Sequence, residues 1–73
     1  MLTREPVASN LLTTIGYDEE HEVLEVELVS GAVYRYLGVP EEVFDGLRAA
    51  RSKGRFFNEQ VKDCYPWELV EQP

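Results

Sequence analysis

The side chains best placed to bind a ligand lie in one basic stretch. Residues 47–58 contain four cations and no carboxylate, and they include the sequence Ser52-Lys53-Gly54-Arg55. The start of a helix leaves backbone N–H groups unpaired and carries a partial positive charge, so it attracts phosphate. A glycine there allows close approach of the backbone, and a serine adds a hydroxyl donor. We hypothesise a phosphate-binding site formed by Arg48, Arg51, Ser52, Lys53, Gly54 and Arg55. The residues alone favour the simpler interpretation, in which Ser52 only caps a helix and Gly54 only allows a tight turn.

Aromatic residues form the second candidate site. Tyr34 and Tyr36 flank Arg35, and aromatic side chains on an open sheet can stack on nucleic acid bases. The same two side chains suit a sheet core, which we favour. Phe56 and Phe57 are neighbours in a helical pattern and point about 100° apart, so one of them must be partly exposed. An exposed Phe56 could stack on a base, contact a protein, or pack under Trp67.

Other kinds of chemistry lack the residues they need. The chain of 73 residues has one histidine and one cysteine, which are too few for a zinc site. His21 lies in an acidic turn with no link to Cys64 or to a serine, so no nucleophilic triad is expected. Cys64 is expected to be a buried apolar residue in a reducing cytoplasm. We expect no enzyme, no metal, no cofactor, no signal peptide and no membrane span.

The formal net charge of −7 is unevenly distributed along the chain. Residues 1–47 contain two basic and ten acidic side chains, whereas residues 48–73 contain five basic and four acidic side chains. Six of the acids fall within residues 18–27. A polyanion is therefore expected to avoid the early strands, and four cations supply only a few phosphate contacts.

Periodicity predicts the elements that position these residues. Residues 22–29 alternate apolar and acidic side chains, as a strand with one buried face does, and residues 11–17 and 32–37 are also rich in strand-forming types. Residues 40–50 and 55–64 have helical spacing, with Pro40 as first helical residue and Ser52 as N-cap. We predict an α+β fold in which a three-stranded antiparallel β-meander is followed by two α-helices packed on one sheet face. One domain spans residues 9–70, between a flexible tail over residues 1–8 and a tail over residues 71–73, and residues 67–70 fold back on the body.

The register of the second hairpin decides where the tyrosines point, because a slip of one residue exchanges the two faces. A two-residue turn would place Arg35 opposite Val26, on the apolar face. A three-residue loop with Gly31 in the left-handed conformation places Tyr34 opposite Val26 and pairs Glu25 with Arg35. We predict the three-residue loop.

An ordered set of short motifs extends over most of the chain. It consists of Ser9, Ile15-Gly16-Tyr17-Asp18, Leu24-Glu25-Val26, Ser30-Gly31, Tyr34-Arg35-Tyr36, Gly38-Val39-Pro40, Ala50, Ser52-Lys53-Gly54, Phe57-Asn58, Val61 and Tyr65. The set resembles the KTSC domain, which occurs at the C-terminus of some lysyl-tRNA synthetases and as a free-standing small bacterial protein. The resemblance implies a free-standing, ligand-binding module here, for which RNA is the suggested ligand of the family, and it does not carry over aminoacylation.

Two functions follow as expectations. The first is a non-enzymatic module that binds RNA or another phosphate-bearing ligand through the basic segment. The alternative is a protein-interaction module that uses a sheet edge or an exposed aromatic surface. Strong salt dependence of binding would favour the first.

Overall fold

Residues 2–72 are described by a computed structural model and form one five-stranded antiparallel sheet with two helices. The strands lie side by side in chain order. The elements are β1 (Arg4–Pro6), β2 (Leu12–Asp18), β3 (Val23–Leu28), β4 (Val33–Leu37), α1 (Glu41–Ala49), α2 (Lys53–Gln60) and β5 (Trp67–Glu71). The α+β class, the antiparallel meander and the two helices are confirmed. The prediction of three strands was wrong, since β1 and β5 extend the sheet at its two edges.

The hairpin of β3 and β4 has the predicted register. Tyr34 lies opposite Val26, and Arg35 lies opposite Glu25. Gly31 has a φ of 97°, a left-handed conformation that glycine adopts without strain. The Leu28 N–H donates to the Ala32 carbonyl at 2.8 Å and closes a three-residue loop. Pairing of apolar with apolar and of opposite charges therefore selected the register correctly.

Strand β1 depends on a glycine in its neighbour. Arg4 pairs with Gly16 of β2, and a Cβ atom on Gly16 would lie 2.7 Å from the Thr3 carbonyl oxygen and 2.8 Å from Arg4 Cγ. Any side chain larger than hydrogen would therefore push β1 away. The sequence predicted no strand here because this segment has no apolar alternation. Met1 and Pro73, which belong to the predicted tails, lie outside the described residues.

Strand β5 returns to the sheet after both helices. Trp67 pairs with Tyr36, and Leu69 pairs with Tyr34. The sequence predicted that residues 67–70 fold back on the body, and the structure shows that they do so as an edge strand. All five residues of β5 are exposed.

The two helices differ slightly from the predicted bounds. Pro40 is the N-cap of α1 and has extended backbone angles, so the prediction that it is the first helical residue was wrong. Helix α2 begins at Lys53 and ends at Gln60, earlier at both ends than predicted. Ser52 is its N-cap, as predicted, and the Ser52 hydroxyl accepts a hydrogen bond from the Arg55 N–H at 3.3 Å. Neither helix is long and apolar enough to cross a lipid bilayer within residues 2–72.

The core lies between the helices and one sheet face. Its fully buried members are Leu12, Ile15, Leu24, Val26, Val39, Leu47 and Val61, with Tyr36 and Phe57 nearly so. Leu47, Phe57 and Val61 bring the helices onto the sheet. Cys64, in contrast, is exposed. The prediction of a buried Cys64 was wrong because α2 ends at Gln60, so the predicted helical stripe does not continue to residue 64.

The sheet face turned away from the helices holds a network of charged side chains. Arg35 lies between Glu25 and Glu68, with N–O distances of 3.0 and 3.3 Å. Arg4 reaches Glu25 from the opposite side, at 3.5 Å. The strand period of two places these side chains on the same face, since Leu24 and Val26 point into the core. These four side chains of the outer face are therefore already engaged with one another.

Candidate functional site

The start of α2 packs closely against the loop before β2. A Cβ atom on Gly54 would lie 3.2 Å from Leu11 Cβ and 3.8 Å from Ser9 Oγ. The Ser9 hydroxyl accepts hydrogen bonds from the N–H groups of Leu11 and Leu12, at 3.1 and 3.2 Å, which holds this loop in place. Ser9 and Gly54, which are distant in the sequence, thus meet at one surface.

A groove of about 400 Å³ runs along this contact, and we call it the basic groove. It is lined by Ala8, Ser9, Asn10, Leu11, Arg51, Ser52, Lys53 and Gly54. Four of the six residues of the predicted phosphate site therefore line one groove. The other two, Arg48 and Arg55, lie outside it.

The cations of the basic segment differ in how strongly they are engaged. The Arg48 guanidinium is 2.9 Å from the Glu5 carboxylate and lies over the Phe44 ring, and Arg55 pairs with Glu59 at 3.3 Å. Lys53 Nζ donates to the carbonyl of Ala50 at 2.8 Å, near the mouth of the groove. Arg51 is exposed and forms no ion pair with any residue from 2 to 72. Arg51 and Lys53 are thus the groove cations that no carboxylate neutralises.

The backbone at the start of α2 offers hydrogen-bond donors. The Arg55 N–H is taken by the Ser52 hydroxyl and the Phe56 N–H by the Ser52 carbonyl. The N–H groups of Lys53 and Gly54 have no acceptor within the described part of the chain. Two unpaired donors at the positive end of a helix suit an anion, because water is then their only other partner.

A second cavity lies between α2 and strands β4 and β5, and we call it the aromatic groove. Its volume is about 290 Å³, and its lining consists of Leu11, Leu28, Tyr34, Tyr36, Phe57, Asn58, Lys62, Asp63 and Trp67. Trp67 meets Tyr34 edge to face, with ring centroids 5.3 Å apart, and is 55% exposed. Leu11 lines both grooves, so the two adjoin at this residue.

The tyrosines occupy the helix side of the sheet, as the predicted register requires. Tyr36 is 3% exposed and packs edge to face on Phe57, whereas Tyr34 is half-buried. Burial raises the pKa of Tyr36 to about 12, with smaller contributions from Tyr34 and Asp63. The Tyr36 hydroxyl, on a residue that lines the aromatic groove, therefore keeps its proton well above neutral pH.

Phe56, the third aromatic candidate, lies elsewhere. A Cβ atom on Gly46 would be 2.7 Å from Phe56 Cζ, which shows that this ring packs on α1 at the glycine. Phe56 is half-buried and lines neither groove. The aromatic residue that sequence reasoning left out of the candidate site is Trp67. Its signal would have been the alternation of Trp67 and Leu69 with Glu68, which is typical of a strand.

A cluster of carboxylates lies away from both grooves. The turn after β2 and the first turn of α1 form an acidic depression that contains Glu19, Glu41 and Asp45. The carboxylates of Glu19 and Asp45 raise the pKa of Glu41. None of the residues lining this depression lines the basic or the aromatic groove. A polyanion would therefore meet repulsion at the depression and attraction at the basic groove.

Comparison with known proteins places these residues in a family pattern. The family model described as the KTSC domain matches residues 8–65, a range that includes the lining of the basic groove and most of the aromatic groove. A crystal structure of a KTSC domain protein from Yersinia pestis superposes with a TM-score of 0.95 at 35% identity, covering 97% of this chain and 100% of that one.

Sequence relatives fall into two groups. An uncharacterized protein of Stutzerimonas stutzeri is 48% identical over 61 residues, which are 84% of this chain and 86% of that protein. A lysine–tRNA ligase of Nostoc punctiforme is 34% identical, again over 61 residues, which are 11% of the ligase. The same kind of domain thus fills most of one relative and a small part of another.

Proposed function

Because the chain belongs to the KTSC domain family, we propose that it is a non-enzymatic module that binds RNA, or another phosphate-bearing ligand, through the basic groove. The observation that carries the proposal is the arrangement of donors and charges at the start of α2. Two unpaired N–H groups, at Lys53 and Gly54, lie beside two cations that have no carboxylate partner. This arrangement provides a phosphate with both hydrogen bonds and charge.

The relatives support the same ligand. A homologous segment occurs within proteins named lysine–tRNA ligase, whose name makes tRNA their substrate. A binding role rather than catalysis agrees with the environment of the ionisable groups. No charged side chain is buried within residues 2–72, and buried or shielded groups are the ones whose pKa values proteins shift for catalysis.

The number of free cations sets the expected strength of binding. Two or three neutralised phosphates predict a slope of about −1.5 to −2 for log affinity against log salt with a single strand. Raising the salt from about 50 to 200 mM should then weaken binding about tenfold. Such binding is modest, and it suits a domain that contributes to an interaction rather than one that saturates nucleic acid alone.

The test is a titration of the labelled protein with single-stranded RNA, tRNA and inorganic phosphate, followed by amide chemical shifts. We expect the amides of Lys53 and Gly54 to move at low salt and to return at high salt. Arg51→Gln and Lys53→Gln should weaken binding more than Arg48→Gln and Arg55→Gln, which remove the same charge outside the groove. Equal losses from all four variants would show that net charge alone matters, and the groove would then not be the site.

A second function is favoured by one observation, the exposed strand β5. Trp67, Leu69 and Val70 are all exposed on this edge strand, which can pair with an extended segment of another protein. Binding of this kind depends little on salt. If no RNA or phosphate shifts any amide, while a partner protein protects the β5 amides from hydrogen exchange, the protein-interaction function replaces the first proposal.

A further inference from the structure

The aromatic groove adjoins the basic groove along one side of α2. Gly54 lines the basic groove and Asn58 lines the aromatic groove, one helical turn further on. Four residues of helix rise by about 6 Å, so the two positions are only a short distance apart. A ligand held by its phosphate at Gly54 would therefore extend naturally over Leu11 and into the aromatic groove.

The size of the aromatic groove limits what it can hold. Its volume of about 290 Å³ is just below the usual range of small-molecule sites, which is roughly 300–1,000 Å³. One planar ring system fits such a space, whereas a paired base or a bulky peptide segment does not. Trp67 lines the groove, is 55% exposed and offers an aromatic surface for stacking.

Polar groups among the apolar walls favour a heteroaromatic ring over an aliphatic side chain. Tyr36, Asn58, Lys62 and Asp63 are the polar residues of the lining, and they carry a hydroxyl, an amide, an ammonium and a carboxylate. The Tyr36 hydroxyl has no hydrogen-bond partner among residues 2–72. Donors and acceptors on a base edge could pair with these groups. Lys62 and Asp63 carry opposite charges and leave this groove without the excess of cations that the basic groove has.

We propose that the aromatic groove binds one unpaired nucleobase, stacked on Trp67, while the phosphate of the same or the adjacent nucleotide lies in the basic groove. The inference rests on the proposed function for the phosphate and extends it to the class of nucleic acid. The base must be unpaired, because the faces and the Watson–Crick edges of paired bases are occupied inside a duplex. A free nucleotide and a single-stranded RNA carry the same chemistry, and the experiment distinguishes them.

The experiment uses Trp67 as its own reporter, since it is the only tryptophan in the chain. The intact protein is titrated with a mononucleotide, a short single-stranded RNA, the same sequence as a duplex, and an abasic strand that keeps the phosphates. We expect the single strand to quench Trp67 fluorescence and to bind about five- to a hundred-fold more tightly than the abasic strand. Tight binding of the mononucleotide, with no gain from the longer strand, would identify a free nucleotide as the ligand.

Two variants on strand β5 separate stacking from folding. Trp67→Leu should reduce affinity for the single strand to that for the abasic strand, whereas Leu69→Ala, an exposed apolar change on the same strand, should not. Binding by Trp67→Leu is followed through amide shifts at Lys53 and Gly54, and far-ultraviolet circular dichroism confirms its fold. Trp67→Phe keeps an aromatic ring and should restore most of the loss.

The outcomes distinguish the two proposals. Equal affinity for the single strand and the abasic strand, both lost in Lys53→Glu, would overturn the nucleobase pocket and leave phosphate binding intact. Absence of binding by every nucleic acid would overturn both. Quenching of Trp67 by an apolar peptide but by no nucleotide would overturn the nucleobase pocket in favour of a peptide site.

Discussion

Glu25 is the central acceptor of the charge network on the outer sheet face, and replacing it tests how burial sets the value of an ion pair. Its carboxylate is 12% exposed and accepts from Arg35 Nε and Nη2 at 3.3 and 3.0 Å, with Arg4 Nε at 3.5 Å. The variant Glu25→Gln removes the negative charge and keeps the shape. Arg4 and Arg35 then remain on either side of a neutral amide.

The magnitude lies between two known limits. Breaking a fully buried ion pair costs about 3–5 kcal/mol, whereas exposed pairs contribute about 0–1 kcal/mol. The Arg35 side chain is 39% exposed, so solvent screens part of the attraction. We expect Glu25→Gln to lower the free energy of unfolding by about 1–2 kcal/mol. For a domain of this size the melting temperature should then fall by about 5–15 °C.

The same guanidinium provides the control. Glu68 also pairs with Arg35, at 3.3 Å, but its side chain is 56% exposed. Glu68→Gln should therefore cost less than about 0.5 kcal/mol. Urea unfolding followed by circular dichroism measures both variants. If the two variants lose the same stability, or if Glu25→Gln loses nothing, the reasoning from burial is wrong.

Two further predictions concern an exposed pair and a helix contact. The Asp18 carboxylate lies 2.8 Å from His21 Nδ1, and their hydrogen bond raises the pKa of His21 above its ordinary 6.5 and lowers the pKa of Asp18 below 3.8. The pKa of His21, measured by proton NMR, should therefore return towards 6.5 in Asp18→Asn. The pair stabilises the fold fully between pH 3.8 and 6.5, the ordinary pKa values of the two groups, and this stabilisation is lost as the pH rises through the folded pKa of His21 or falls through that of Asp18. A loss of stability in His21→Ala that persists at high pH would contradict this prediction. Gly46→Ala should gain about 1 kcal/mol from helix propensity. The new methyl group forces Phe56 to move, and overpacking of this kind costs about 1–3 kcal/mol. Thermal unfolding should therefore show a net loss of stability. In a Phe56→Leu background the same Gly46→Ala change should stabilise the protein, and a loss there as large as in the wild type would show that Phe56 is not the obstacle.

Local patterns predicted the centre of the sheet and failed at its edges. Alternation of Leu24 and Val26 with Glu25 identified β3, and cross-strand pairing selected the register of β4. Strand β5 follows two helices, and the sequence of β5 alone does not predict that it pairs with β4. Strand β1 forms because Gly16 leaves room for it, which is a property of the neighbouring strand rather than of residues 4–6.

The candidate site shows the same division. Ser52 as N-cap and the cations around it followed from composition and spacing. Two features of the site depend on contacts between segments far apart in the chain. Ser9 lines the basic groove beside Gly54, and Trp67 of β5 packs against Tyr34 of the neighbouring strand β4. The exposed Cys64 depends on where α2 ends, and the spacing of Phe57 and Val61 does not fix that point.

Five strands in chain order leave the sheet with two open edges, and the residues there counter association between copies. Strand β1 is three residues long and contains Pro6, which has no N–H to donate to a neighbouring strand. Strand β5 is longer and all of its residues are exposed, but it carries Glu68 and Glu71, so a second copy aligned on it would bring like charges together. Part of the net charge of −7 thus protects the sheet edges from cross-strand aggregation.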